Sequence, residues 1–216
     1  MKGITKELEK TIQGAINREI RDSRKKKLGI LIKYVLEKFK NNQDVNFNFI
    51  CTHNSRRSQF CQIWSHTASH YFNVPVNSHS GGIEITECNE LVISSIKNSG
   101  FLVSSNSKNK NPEYSISIGD NYKTLKMFSK LFNKSINSDI SFAAVMVCSD
   151  ADKNCPYIPG AEKLISLPYD DPKVFDDTPH EIKKYEECSH KIASEIFYVF
   201  NEVSKKLSFI NWLVNY

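Results

Sequence analysis

Cys51 and Arg57 are the residues whose types and spacing most clearly suggest chemistry. They stand in Cys51-Thr52-His53-Asn54-Ser55-Arg56-Arg57-Ser58, with five residues between them and a serine directly after. A cysteine thiolate is a nucleophile, and the planar arginine fork can clamp two oxygens of a tetrahedral anion. The alternating run Val45, Phe47, Phe49, then Ile50, reads as a strand that ends at the cysteine, and a helical pattern follows the serine. Such a strand-to-helix turn can point backbone N–H groups inward and adds the partial positive charge of a helix N-terminus. Cys51 would lie beneath the anion, where the same field favours its thiolate, and Ser58 is placed to donate a hydrogen bond to the sulfur. The stretch therefore reads as the site of a covalent enzyme acting on phosphate or a phosphate mimic. The competing reading is an ordinary βα turn with a buried cysteine, because Cys-x5-Arg alone arises by chance. Ser58, the strand before and the helix after favour the first.

Two further positions could join this chemistry. Cys148-Ser149-Asp150-Ala151-Asp152-Lys153-Asn154-Cys155-Pro156 holds two cysteines seven positions apart. They could form a disulfide if the segment between them loops back, or be an inert pair, or be half a metal site. Zinc is disfavoured by the lack of a Cys-x2-Cys and of a nearby histidine pair. Asp171, followed by Pro172, lies in a turn after an expected strand. It could act as a general acid toward a leaving oxygen or simply form the turn.

The elements that must position these residues alternate in type. Val45–Ile50, Val74–Ser80, Tyr114–Ile118, Phe142–Val147 and Leu164–Leu167 read as strands. The continuous apolar run at 142–147 has the character of a strand buried on both faces, as in a parallel sheet. Gly81-Gly82 reads as a turn, 104–112 as a loop, and 123–132 as strand then short helix. Helices are expected over 57–72, 88–98 and from Thr178 to about Lys206, with Thr178 as N-cap and Pro179 and Glu181 in the first turn. Two more are expected before the first strand, over 4–20 and over 23–40 with Ser23 as cap. The pattern is α/β with a mainly parallel sheet, and Cys51, Cys148 and Asp171 all fall at carboxyl ends of strands, where open sheets build sites. Residues 1–44 form a helical extension that precedes a single domain over 45–216.

Composition narrows the partners. The net charge of +5 and pI near 8.8 suit a small anionic substrate. There is no concentrated basic face with interleaved aromatics, so nucleic acid is not expected. No run approaches a membrane span, and Met1-Lys2-Gly3-Ile4 opens no signal peptide, so neither a membrane nor an exported state is expected. Six cysteines in 216 residues are too sparse for a disulfide scaffold, which points to the cytoplasm and reduced thiols. Cys61, Cys88 and Cys188 fall on expected helices and read as packing residues. No cofactor is called for.

Together, Cys51-Thr52-His53-Asn54-Ser55-Arg56-Arg57-Ser58-Gln59, Cys148-Ser149-x-Ala151-Asp152-x-x-Cys155-Pro156 and Asp170-Asp171-Pro172 resemble the thioredoxin-coupled arsenate reductases, which share the low-molecular-weight protein tyrosine phosphatase fold. The resemblance covers about residues 45–205. It implies a three-layer α/β/α domain around a central, mainly parallel four-stranded sheet. It also implies roles. Cys51 attacks arsenate held by Arg57 and the loop residues Thr52 to Ser58, with Asn54 bracing the loop. Cys148 then attacks the adduct, and Cys155 attacks Cys148 to leave a disulfide for a thioredoxin-like reductant. The chain departs from the family at His53, where glycine is usual, and at Arg56, often Cys or a small or apolar residue. Some relatives hold potassium beside the asparagine, near a glutamate; here that position is Gln62, and no metal is expected. A phosphomonoesterase with Cys51 as nucleophile and Asp171 as acid shares all but the cysteine pair. A non-catalytic anion-binding regulatory module is the third reading.

Overall fold

The computed structural model describes residues 3–105, 109–120, 122–137, 139–149 and 157–214, with side chains to 209. Cys155 and the rest of 150–156 lie outside the described residues.

Two helices come first, α1 (Lys6–Ile16) and α2 (Asp22–Lys40). Strand β1 (Asn46–Cys51) leads through the Cys51 loop into α3 (Arg57–Phe72), followed by β2 (Asn77–Gly82) and α4 (Glu90–Asn98). Three short strands come next, β3 (Leu102–Ser105), β4 (Tyr114–Ser117) and β5 (Leu125–Met127). The chain closes with β6 (Phe142–Met146), β7 (Ala161–Ser166) and the long helix α5 (Glu181–Val214).

The central sheet has the order β2-β1-β6-β7, every pair is parallel, and helices flank it. β1 and β6 are buried throughout because both lie inside the sheet. The polar residues of β1 are buried with partners. Asn48 donates to Phe132 O and accepts from Ser135 Oγ, each at 3.0 Å, while Phe47 on the other face meets the Tyr34 ring of α2 at 5.8 Å. Helix α3 is buried around most of its circumference, as a helix held between a sheet and another helix must be. Trp64 stacks edge-on to Phe101 and Phe197 and donates to Ser189 Oγ at 3.0 Å. Leu8, Ile12, Leu28 and Leu31 of α1 and α2 belong to the same continuous core as the sheet.

A second sheet of three antiparallel strands, β3-β4-β5, was not expected as a unit. Its strands are three or four residues long and only partly buried, so the alternation that marks a strand is too brief to read. Residues 104–105 of the expected loop belong to it. Other local expectations also shift. Ser23 lies inside α2, whose N-cap is Arg21 and makes no side-chain cap bond. Thr178 caps a preceding turn by accepting from His180 N at 3.2 Å, and α5 starts only at Glu181 and runs well past Lys206. Gly81 and Gly82 do not turn the chain. They end β2, where a Cβ added at Gly81 would collide with Phe132 Cα and one added at Gly82 would lie 2.7 Å from Asn54 N, so glycine there allows close backbone approach. Among the described residues no helix is long and apolar enough to cross a membrane.

Candidate active site

The parallel register brings the chemistry to one edge. Ile50 pairs with Met146, so continuing both strands by two residues sets Thr52 beside Cys148. Thr52 Oγ1 lies 3.7 Å from Cys148 Sγ, and both Cys51 and Cys148 are buried.

The Cys51 loop has its carbonyls turned outward and held. Thr52 O accepts from Ile83 N at 2.8 Å and Glu84 N at 2.9 Å. His53 O accepts from Ser129 Oγ at 2.7 Å, Asn54 O from Gln59 Nε2 at 2.8 Å, and Ser55 O from Asn89 N at 3.1 Å. The N–H groups of residues 53–56 have no protein acceptor among the described residues. A loop whose acceptors face out and whose donors are unspent is an anion cradle, and it opens onto the N-terminus of α3. Asn54 makes the turn possible. Its φ of 49° is left-handed, which asparagine tolerates better than most residues, and its Oδ1 accepts from Lys130 N at 3.1 Å.

Beneath the loop a directed chain of hydrogen bonds reaches the sulfur. Asn54 Nδ2 donates to Ser58 Oγ at 2.8 Å, and Ser58 Oγ lies 3.0 Å from Cys51 Sγ. Ser58 Oγ accepts from Asn54 and keeps its own proton available to the sulfur, an arrangement that suits a thiolate. Gln59, Ser80 and Gln62 continue the buried polar network. Gln62 is committed to Ser80 Oγ and Ser78 O, and among the described residues no group of three metal-ligating side chains occurs.

The two adjacent arginines go to different partners. Arg57 is buried. Its Nη2 pairs with Asp171 Oδ2 at 2.5 Å and its Nη1 donates to Tyr169 O at 3.0 Å, while its buried Nε has no hydrogen-bond partner among the described residues. A charged, buried donor left unspent is costly unless a ligand takes it. Asp171 forms the turn considered for it and also meets the clamp. Oδ1 accepts from Lys173 N and caps the short 3-10 turn Pro172–Phe175, while Oδ2 faces Arg57. Arg56 instead donates to Tyr185 OH at 2.6 Å and pairs with Asp176 at 3.1 Å. His53 is about two-fifths exposed and lies 3.3 Å from Glu84 on the rim.

Burial pushes the Cys61 and Cys88 thiols up, Cys88 to about 12. Cys188, near Arg57 and Asp171, is likewise raised to about 12, chiefly by burial. The residues that sequence reasoning missed are the loop's holders, Ser129, Lys130 and Asn89 on the outside and Tyr185 and Asp176 behind Arg56. None sits in a local motif, because each is recognisable only through its contact with the loop.

No protein-family model matches the chain. A curated relative named arsenate reductase 2 from Staphylococcus epidermidis is 32% identical over 126 residues, covering 57% of this chain and 76% of that protein. The chain belongs to the arsenate reductase family. A second member, arsenate reductase 2 from Staphylococcus saprophyticus, is 30% identical over 146 residues, 63% of this chain and 92% of its own length. Among solved structures, a low-molecular-weight protein tyrosine phosphatase from T. tengcongensis is similar with a TM-score of 0.49 at 14% identity, over 74% of this chain and 99% of that one. Membership makes the chain one of a family of enzymes.

Proposed function

We propose that this protein reduces arsenate to arsenite through Cys51, Cys148 and Cys155, with a thioredoxin-like dithiol as the final reductant in a cytoplasmic setting. The observation that carries this reading is a second thiol beside the anion loop, since Thr52 Oγ1 lies within 3.7 Å of Cys148 Sγ. Arsenate enters the cradle of N–H groups from Thr52 to Ser58, His53 and Arg56 contributing through the backbone, and Arg57 Nε takes one of its oxygens. Cys51 thiolate attacks arsenic and a protonated oxygen leaves as water, forming a sulfur–arsenic bond. Cys148 thiolate attacks the Cys51 sulfur. The sulfur–arsenic electron pair stays with arsenic, which leaves as arsenite, and a Cys51–Cys148 disulfide remains. Cys155 attacks Cys148, Cys51 departs as thiolate, and the external dithiol reduces the Cys148–Cys155 disulfide. Buried Cys148 must reach the surface for that last step.

Phosphomonoester hydrolysis is the second reading, supported by the Arg57–Asp171 pair, which sets a carboxyl group beside the clamp. Phosphate and arsenate are near-isosteric, so a weak phosphatase activity accompanies reduction. The intact Cys51, Arg57 and Asp171 argue against a module without turnover. The test is arsenate turnover with a thioredoxin system for wild type, Cys148→Ser and Cys155→Ser, beside hydrolysis of an aryl phosphate. Both variants should stop multiple turnover and keep the hydrolysis. Wild type that hydrolyses the ester and never reduces arsenate would leave the phosphatase reading in its place.

A further inference from the structure

Arg24 sits on α2, outside the α/β elements, yet its guanidinium is turned inward. Its Nε donates to Glu195 Oε2 of α5 at 2.8 Å, and Nη2 lies at the same 2.8 Å as an ion-pair contact too bent for a hydrogen bond. The side chains are 18% and 5% exposed, so solvent screens the pair little. The guanidinium also stacks over the Tyr169 ring, 4.7 Å from its centroid. Tyr169 is buried and held elsewhere by its backbone. Its N–H donates to Val147 O at 3.1 Å, just past β6, and its carbonyl accepts from Arg57 Nη1. Asp171 lies two residues later on the same strap, and Arg57 spans the Tyr169 carbonyl and the Asp171 carboxylate. Lys191, one turn before Glu195, adds a contact to Asp170 at 3.3 Å, but that aspartate is fully exposed and the pair is weak.

We propose that Arg24 is a positioning residue for Asp171. By fixing the Tyr169 ring from the outer side, it fixes the carbonyl and the carboxylate between which the Arg57 fork is held. This rests on the reading of Asp171 as a general acid toward a leaving oxygen. It gives the helix before the sheet a part in the chemistry without touching substrate.

The test uses the full chain and aryl phosphates with good and poor leaving groups, since an acid matters most where the departing oxygen needs a proton. Arg24→Ala should lower kcat about tenfold for the poor leaving group and by less than about twofold for the good one. In an Asp171→Asn background, removing Arg24 should cost nothing further, because both changes disable one function. Arg24→Lys should restore part of the loss. Glu195→Gln, which keeps the packing, should give the same leaving-group split and carries the comparison if Arg24→Ala does not fold. Equal losses for both esters, or a full loss persisting with Asp171→Asn, would overturn the proposal, as would an unchanged rate. If Asp171→Asn slows the poor ester and the Arg24 and Glu195 variants do not, only this inference fails. If Asp171→Asn has no effect, the acid reading fails with it.

Discussion

The four-stranded parallel sheet positions the side chains proposed to react, with Cys51 at the end of β1, Cys148 just past β6, and Tyr169 and Asp171 beyond β7. The three-stranded antiparallel sheet delivers none. The segment just after its last strand takes hold of the loop's backbone instead. Gln59 bridges Asn54 O and Phe128 O, Ser129 Oγ donates to His53 O, and Lys130 N donates to Asn54 Oδ1. Asn111 in turn fixes Ser129 through two bonds, at 2.8 and 3.0 Å. The proposed reacting groups are thus placed by buried strands, and the shape of the loop is held by a half-exposed region. Substitutions in the first region should break turnover and spare the fold, and substitutions in the second should loosen the loop and cost less.

Cys51→Ser separates the two most sharply. It should lower turnover of arsenate and of aryl phosphate by about 10⁴-fold or more, with a melting temperature close to wild type. A residual rate within about tenfold of wild type would remove Cys51 from its role. Gly82→Ala places a methyl group 2.6 Å from Glu84 O and 2.7 Å from Asn54 N, both backbone atoms that cannot swing away. A cost of about 1–3 kcal/mol is expected in denaturant unfolding, with weaker anion binding in proportion. An unchanged midpoint would mean that the close approach of β2 to the loop does not matter. Ser129→Ala removes the donor to His53 O and the acceptor for Thr86 N. A loss of about 1–2 kcal/mol in the affinity of inorganic phosphate, with kcat changed less, is the expected signature.

A test that should leave chemistry untouched concerns α3, away from the Cys51 loop. His66 packs against His70 at 4.7 Å, and its pKa is lowered to about 4, chiefly by burial and then by the His70 charge. Between its ordinary value of 6.5 and about 4, the unfolded chain takes a proton that the folded chain refuses. Stability should therefore fall on acidification through that window, by on the order of 2–3 kcal/mol at most. Urea unfolding from pH 7 to 4 measures the slope, and His66→Gln should flatten it. An identical slope in the variant would clear His66.

The same contrast explains what could be read in advance. The run 142–147 and the alternation before Cys51 are signals of burial, and burial is a property of local sequence pattern, so the parallel sheet and the common edge for Cys51, Cys148 and Asp171 were legible. The second sheet was not, because four-residue strands such as Tyr114–Ser117 carry too little pattern. The partners of Arg56 and Arg57 were not legible either. Both are guanidinium groups in one loop, and only the fold decides that one faces Asp171 and the other Asp176 and Tyr185. Asn46 and Asn48 alternate with the apolar residues of β1, yet both are buried, because other segments bring them partners such as Ser141 O and Phe132 O.

The most direct measurement mixes reduced Cys155→Ser protein with arsenate, without reductant, and tracks arsenite release and the intact mass. One arsenite per chain, a mass lower by two hydrogens and a peptide pair linked through Cys51 and Cys148 are the expected result. Arsenite released while Cys51 and Cys148 both remain open to alkylation, or no reaction at all from a folded, phosphate-binding protein, would contradict it.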